Sequence, residues 1–428
     1  MNYCFDDKLE IVGGNRLFGT FKNQTSKNAV LPIMSASIMA EGVVEIRQVP
    51  DILDVTNMKK ILRKLGVKVT KKKDSLLLDS SKISRFQVDE NLSKTMRSSI
   101  FLLGALLSRF KEAHITFPGG CKIGNRPIDL HIDALKKLNV KVIEDESGFF
   151  FDGRSAKPNK IKLKIPSVGA TENIVQFAVK LKGITEIFNP AREPEVVDLC
   201  NFLNSMGAKI VGAGTKKITI YGVDSLFGIQ YTPIKDRIVS GTIMIATALT
   251  KGKVTIIDGC AKENESLIKI LSSIGCKIDL ENDIIKVSRD GELKNINIVT
   301  GYFPKFPTDL QSIILPLLCV AEGNSKVQEL VFENRFLIAK ELNRMGANIS
   351  LSNAHTALVR GLSALRGRTV KATDLRGGAG LVLAGLIAKG KTIISDVHFI
   401  DRGYDHIEHM LSSLGANIRR VCQKQKSR

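Results

Sequence analysis

Leu65-Gly66-Val67-Lys68-Val69 is the first of six related stretches, followed by Leu138-Asn139-Val140-Lys141-Val142 and Met206-Gly207-Ala208-Lys209-Ile210. The others are Ile274-Gly275-Cys276-Lys277-Ile278, Met345-Gly346-Ala347-Asn348-Ile349 and Leu414-Gly415-Ala416-Asn417-Ile418. The turn residue falls at 66, 139, 207, 275, 346 and 415, in steps of 73, 68, 68, 71 and 69. Gly or Asn is what the left-handed cap of a helix C-terminus needs, and the small and β-branched residues that follow begin a strand. Each copy reads helix, cap, strand. The chain is therefore six repeats of one unit.

A second pattern precedes each cap. Long apolar helices are predicted over Asn28 to Ala40, Met96 to Ser108, Thr171 to Leu181, Ser240 to Leu249, Leu310 to Ala321 and Ala379 to Ala388. A helix apolar on nearly every face must be buried on every face. Three units can pack these helices inside and lay their sheets around them, which predicts an α/β fold of two inverse α/β-barrel-like domains of three repeats each. The expected domains are residues 21–232, and residues 1–20 joined to 233–428. A ligand site is expected in the cleft between them.

Composition narrows the class. With 43% hydrophobic and 25% charged residues the chain is an ordinary soluble globular protein rather than a disordered one. Its seven cysteines are odd in number and scattered, with no metal-ligand spacing, and read as reduced thiols of a cytoplasmic protein. The start Met1-Asn2-Tyr3-Cys4-Phe5-Asp6 lacks a secretory pattern, and no run is apolar for long enough to enter a membrane. No metal and no cofactor are expected. The net charge of +20 invites a nucleic-acid reading, but the lysines are dispersed and no aromatic residues alternate with them. No specific nucleic-acid partner is expected, and the charge reads as a solvated surface that steers a small anion.

Two features point to chemistry. Phe117-Pro118-Gly119-Gly120-Cys121-Lys122-Ile123-Gly124-Asn125-Arg126 is a glycine-punctuated loop around one thiol, and the cations at 122 and 126 favour its thiolate. Charged and polar residues also gather at the starts of the buried helices: Lys27-Asn28, Arg97, Thr171-Glu172-Asn173, Asp236-Arg237, Thr308-Asp309 and Arg376. Asp236 and Thr308 suit capping. A cation at a helix N-terminus is unfavourable unless an anion offsets it, so Lys27, Arg97 and Arg376 imply a substrate with several negative charges.

Here the chain resembles the UDP-N-acetylglucosamine 1-carboxyvinyltransferase family of enolpyruvyl transferases, from about Gly13 to Val421. The resemblance rests on Ser26-Lys27-Asn28-Ala29, Pro118-Gly119-Gly120-Cys121, Arg126-Pro127-Ile128-Asp129-Leu130-His131 and Gly169-Ala170-Thr171-Glu172-Asn173. It continues through Ala191-Arg192-Glu193-Pro194-Glu195, Phe306-Pro307-Thr308-Asp309, Glu333-Asn334-Arg335-Phe336 and Asp401-Arg402-Gly403-Tyr404. The implied substrates are phosphoenolpyruvate and UDP-N-acetylglucosamine, and the implied reaction is the first committed step of peptidoglycan synthesis, with its ties to cell shape and division.

The resemblance assigns Cys121, on a mobile loop at about 115–125, as the acid that can also form a pyruvate adduct, and Asp309 as the base. Lys27, Arg97, Arg126 and Arg402 would hold phosphoenolpyruvate, and Asn28 the sugar. Arg126, Pro127, Ile128, Asp129 and Leu130 would line the uridine pocket. Ser167, Val168 and Gly169 would serve the diphosphate, Val331 the nucleotide sugar, and Asp374 and Arg376 would support the site. Thr25, Ser26, Val239 and Lys305 depart from the family's usual residues, and Lys305 is expected to sit beside Asp309 as an extra cation. The shikimate-pathway enolpyruvyl transferase is the nearest alternative, although its Lys-Ser-x-Ser start is replaced by Lys27-Asn28 and it lacks the Gly-Gly-Cys loop. A basic nucleic-acid-binding protein on the same repeat is the other.

Overall fold

Six residues set the grain of the structure: Gly66, Asn139, Gly207, Gly275, Gly346 and Gly415 have φ of 103°, 64°, 108°, 110°, 102° and 97°. Every predicted cap is thus left-handed. Each closes an amphipathic helix, in order Leu53–Leu65, Asp129–Lys137, Pro194–Ser205, Glu265–Ser273, Ile338–Arg344 and Ile407–Ser412. The computed structural model describes residues 6–88, 100–116 and 128–422. Within these the chain forms two compact units, one of residues 25–88, 100–116 and 128–234, the other of 6–24 and 235–422. The chain passes from one to the other after residues 24 and 234, where the sequence suggested 20 and 232.

The apolar helices are Lys27–Ala36, Leu102–Phe110 and Val168–Ala178 in the first unit, and Arg237–Leu249, Thr308–Val320 and Leu375–Ile387 in the second. All thirteen residues of Arg237–Leu249 are buried, as are the first twelve of Leu375–Ile387. Where both ends are described, each helix starts one to four residues before the apolar pattern does. The reason is that its opening turn is polar or small and shows no hydrophobic period. The first helix also stops at Ala36 and continues as a 3-10 turn, Ser37–Met39, instead of running to Ala40.

The sheets repeat as faithfully as the caps. In the third repeat Lys160–Lys162 runs parallel to Ile184–Phe188, which is antiparallel to Lys217–Tyr221, which is antiparallel to Lys209–Val211. The same order recurs in four other sheets, and in the second repeat the parallel edge shrinks to a bridge between Gln87 and His114. Three of these sheets borrow a strand from a distant part of the chain. Gln230–Tyr231 supplies the parallel edge beside Val43–Arg47, and Phe18–Lys22 the edge beside Lys253–Ile257. Lys8–Val12 lies between Lys391–Ser395 and Asn417–Val421.

Each unit has its own apolar core. One runs from Val30 to Leu226, the other from Leu9 through Ile418. In the second unit the three buried helices are parallel. Their C-terminal residues Leu249, Val320 and Ile387 line one shared hollow, and their N-terminal side chains meet at the opposite end, as described below.

Gly207 isolates the contribution of the cap, because a Cβ there would meet nothing closer than the Phe227 ring at 3.6 Å. Gly207→Ala is expected to lower stability by about 1–3 kcal/mol through backbone strain alone. Gly207→Asn is expected to lose less, since Asn139 already serves that position in the second repeat. Urea midpoints for both variants check the order.

Candidate active site

At the start of the helix Thr308–Val320, Asp309 holds its carboxylate between two arginines. Arg335 Nη2 donates to Oδ1 at 2.8 Å and Arg376 Nη2 donates to Oδ2 at 3.4 Å. Both arginines are almost fully buried, while Asp309 keeps 24% of its side chain exposed. Only the acid faces outward to any extent.

Arg376 sits in the first turn of Leu375–Ile387, whose N-cap Asp374 accepts from the Arg376 and Gly377 amides at 3.0 Å. Its guanidinium lies 5.7 Å from the centre of the Tyr404 ring, and Tyr404 shares a 2.9 Å hydrogen bond with Thr242 of the third helix. Burial works against the charge, but Asp309, Tyr404 and Asp236 together hold Arg376 firmly protonated. Among the described residues its Nε and Nη1 complete no hydrogen bond. The charge is held in the interior chiefly by the Asp309 carboxylate and the Tyr404 ring.

The neighbouring polar groups serve the same helix ends. Asp236 caps Arg237–Leu249 by accepting from Ile238 and Val239. Glu329, wholly buried, accepts from the Thr308 hydroxyl at 2.9 Å and from the Val331 and Phe332 amides at 2.8 and 3.1 Å. It therefore fixes Val331 against the helix that carries Asp309. Arg402, half-buried, ends the 3-10 segment Val397–Arg402.

In the other unit, Lys27 opens its helix and pairs with Asp54, a fully buried carboxylate, at 2.9 Å, with Asn28 next to it. Ser167 caps Val168–Ala178 through Ala170. The first N–H groups of that helix, at Val168 and Gly169, lie where an α-helix offers no internal acceptor. A Cβ on Gly169 would come within 3.1 Å of His131 Cε1, which brings this helix start against the 128–131 segment. Asn173 ties the two together. It bonds His131 Nδ1 at 2.9 Å and the Ile100 carbonyl at 3.0 Å, and accepts from the Gly104 amide at 2.7 Å. Ile128 is buried, Leu130 half-buried and Asp129 exposed.

The structure thus gathers Asp309, Val331, Asp374 and Arg376 in one unit, and Ile128, Asp129, Leu130, Ser167, Val168 and Gly169 in the other. Arg97, Cys121, Arg126 and Pro127 lie outside the described residues, as does most of the loop at about 115–125. One inference from the sequence needs correction. Lys27 and Arg376 do not by themselves demand an anionic substrate, because Asp54 and Asp309 already offset them from within the protein. Lys305 is exposed, with its stem over Gly301, and the cations seen to pair with Asp309 are Arg335 and Arg376. Arg335 and Tyr404 were legible only as parts of longer matching stretches. Asp54 and Glu329 gave no signal for their links to Lys27 and Thr308, which lie 27 and 21 residues away in the chain.

The family described as EPSP synthase (3-phosphoshikimate 1-carboxyvinyltransferase) matches residues 11–411. UDP-N-acetylglucosamine 1-carboxyvinyltransferase 2 of Caldanaerobacter subterraneus subsp. tengcongensis is 46% identical over 97% of this chain and 99% of its own. The UDP-N-acetylglucosamine 1-carboxyvinyltransferase of Halothermothrix orenii is 45% identical with the same coverage of both chains. The crystal structure of the enolpyruvyl transferase NikO from Streptomyces tendae superposes with a TM-score of 0.88 at 25% identity, over 98% of this chain and 99% of that one.

Glu172 of the Val168–Ala178 helix offers a test of this interior. It is fully buried, neither carboxylate oxygen finds a partner among the described residues, and burial with Glu195 and Glu193 nearby pushes its pKa well above the usual range. The folded chain keeps a proton that the unfolded chain releases, so stability falls as pH rises above the ordinary glutamate pKa. The slope approaches about 1.4 kcal/mol per pH unit until the folded pKa is reached. Glu172→Gln is expected to flatten that slope in urea denaturation between pH 5 and 8.

Proposed function

The chain belongs to the EPSP synthase family and, within it, stands among the UDP-N-acetylglucosamine 1-carboxyvinyltransferases; on that premise we propose the following reaction. The enolpyruvyl group of phosphoenolpyruvate is transferred to the 3-hydroxyl of UDP-N-acetylglucosamine, phosphate is released, and the product enters peptidoglycan synthesis. The observation that carries this reading is the near-full-length match to relatives of that name. The partly exposed Asp309 clamped between Arg335 and Arg376 supports it.

In the addition step the hydroxyl oxygen bonds to C2 of phosphoenolpyruvate while C3 takes a proton. In the elimination step C3 returns a proton and the bond from C2 to the phosphate oxygen breaks. Asp309 is the base that takes the hydroxyl proton, its orientation set by Arg335 and Arg376. Cys121 delivers the proton to C3 and can form the pyruvate adduct. Lys27, Arg97, Arg126 and Arg402 hold phosphoenolpyruvate, since a planar guanidinium matches both carboxylate and phosphate.

Asn28 and Val331 position the sugar, and Arg126, Pro127, Ile128, Asp129 and Leu130 the uridine. The first-turn amides at Val168 and Gly169 suit the diphosphate, because helix N-termini bind anions and Ser167 caps the helix at Ala170. Asp374 keeps Arg376 in place by capping its helix. Such a protein works in the cytoplasm, where its substrates are made, and its product feeds cell shape and division. No described helix is long and apolar enough to cross a membrane.

Phosphate release from phosphoenolpyruvate in the presence of UDP-N-acetylglucosamine is expected for the wild type and severely reduced for Cys121→Ala and Asp309→Ala. A wild type inert with this pair, but active with shikimate 3-phosphate, would transfer the reading to the sister enzyme. A wild type inert with both, yet strongly and salt-sensitively retained on a DNA column, would favour nucleic-acid binding. Separately, the phosphonate epoxide fosfomycin is expected to add covalently to Cys121 when UDP-N-acetylglucosamine is present. Peptide mass analysis finding that peptide unmodified would count against a reactive thiol.

A further inference from the structure

The three buried helices of the second unit do not start alike. Asp236 and Asp374 cap Arg237–Leu249 and Leu375–Ile387 by accepting first-turn amides, but the residue at the same place before Thr308–Val320 is Pro307, whose ring carries no acceptor. Thr308, which its sequence position suits to capping, is instead the first helical residue and donates its hydroxyl to Glu329 Oε2 at 2.9 Å. The helix that carries Asp309 is thus tied at its start to a side chain outside itself.

Glu329 follows the last residue of the strand Asn324–Gln328 and is wholly buried. Its backbone is gripped from the neighbouring hairpin: its amide donates to the His355 carbonyl at 2.8 Å, and its carbonyl accepts from His355 Nδ1 at 2.9 Å. The Leu330 amide donates to the Thr300 hydroxyl at 3.0 Å, so the next residue is held as well. From this anchored backbone the carboxylate divides its two oxygens. Oε1 accepts from the Val331 and Phe332 amides, and Oε2 from Thr308. One side chain fixed to the sheet therefore joins the loop that carries Val331 to the helix turn that carries Asp309. Both ties are needed, because a buried acceptor left without its donor is costly.

We propose that Glu329 is a positioning residue that sets the acceptor hydroxyl against its base: it keeps Val331, which positions the sugar, in register with Asp309, which takes the hydroxyl proton. The inference rests on the proposed transferase activity. Register matters because a general base acts only within hydrogen-bond reach of the proton it removes. Phosphoenolpyruvate is assigned to other side chains, so the effect belongs to the sugar side of the reaction.

The test measures kcat and both KM values for wild type, Thr308→Val, Thr308→Ser, Glu329→Met and the Thr308→Val/Glu329→Met double variant. Thr308→Val breaks only the helix side of the link and is expected to lower kcat roughly tenfold to a hundredfold, the scale of a small misplacement between reacting groups, while both KM values stay within about twofold. Thr308→Ser keeps the hydroxyl and is expected to recover most of that loss. Glu329→Met removes the acceptors on both sides, so the KM for UDP-N-acetylglucosamine is expected to rise severalfold in addition to the fall in kcat, and the KM for phosphoenolpyruvate is not. Adding Thr308→Val to Glu329→Met is expected to change kcat little, because partners in one hydrogen bond are not additive. Glu341→Gln is the control for disturbing a buried carboxylate as such, since Glu341 accepts from Arg344 and the Lys371 amide elsewhere in the same unit, and it is expected to match the wild type. An unchanged kcat in Thr308→Val, no recovery with serine, equal rises in both KM values, or additive losses in the double variant would overturn the assignment. Should Glu329→Met fail to fold, the valine and serine variants still decide it. A wild type without activity would instead overturn the reaction on which it rests.

Discussion

The structure depends on one constraint: a helix without a polar face has no stable place except at the centre of something. Each unit meets it by packing three such helices together and surrounding them with three sheets and three amphipathic helices. Once Arg237–Leu249, Thr308–Val320 and Leu375–Ile387 are parallel in one core, only their ends can carry charge. The N-terminal ends then bring polar caps and charged first-turn side chains together in one small region. A cluster of charge at one end of an apolar core follows from the packing.

The same constraint explains how cations come to sit where helix dipoles oppose them. Arg376 is tolerated in a buried first turn because Asp309 lies against it and Tyr404 offers its ring. Lys27 is tolerated because Asp54 waits across a second helix. These acids offset the two cations from within the protein itself.

Much of this was legible in the sequence, because the repeated caps are local events. A left-handed helix cap favours Gly or Asn for reasons local to its own backbone, so all six turns could be read from single positions. Helix starts were less legible: polar first turns such as Thr308-Asp309 and Leu375-Arg376-Gly377 have no hydrophobic period, and the true boundaries lie earlier than the pattern. The internal anions were not legible at all. Asp54 reads as one acid on an amphipathic helix and Glu329 as one acid after a strand, and only tertiary packing gives them their partners. The borrowed strands were hidden for the same reason, since Gln230–Tyr231 is two residues long and takes its meaning from a distant edge.

Those borrowed strands bear on how the chain is made. Residues 25–234 contain every strand of their own sheets, so that unit can close as soon as Gln230–Tyr231 leaves the ribosome. The other unit cannot. Lys8–Val12 is made long before Lys391–Ser395 and Asn417–Val421, the strands it needs on either side, and must wait for both with its edges open. The nascent chain thus carries an orphan strand past a neighbouring unit that can already have closed, and Asn417–Val421 is the strand that finally covers its second edge.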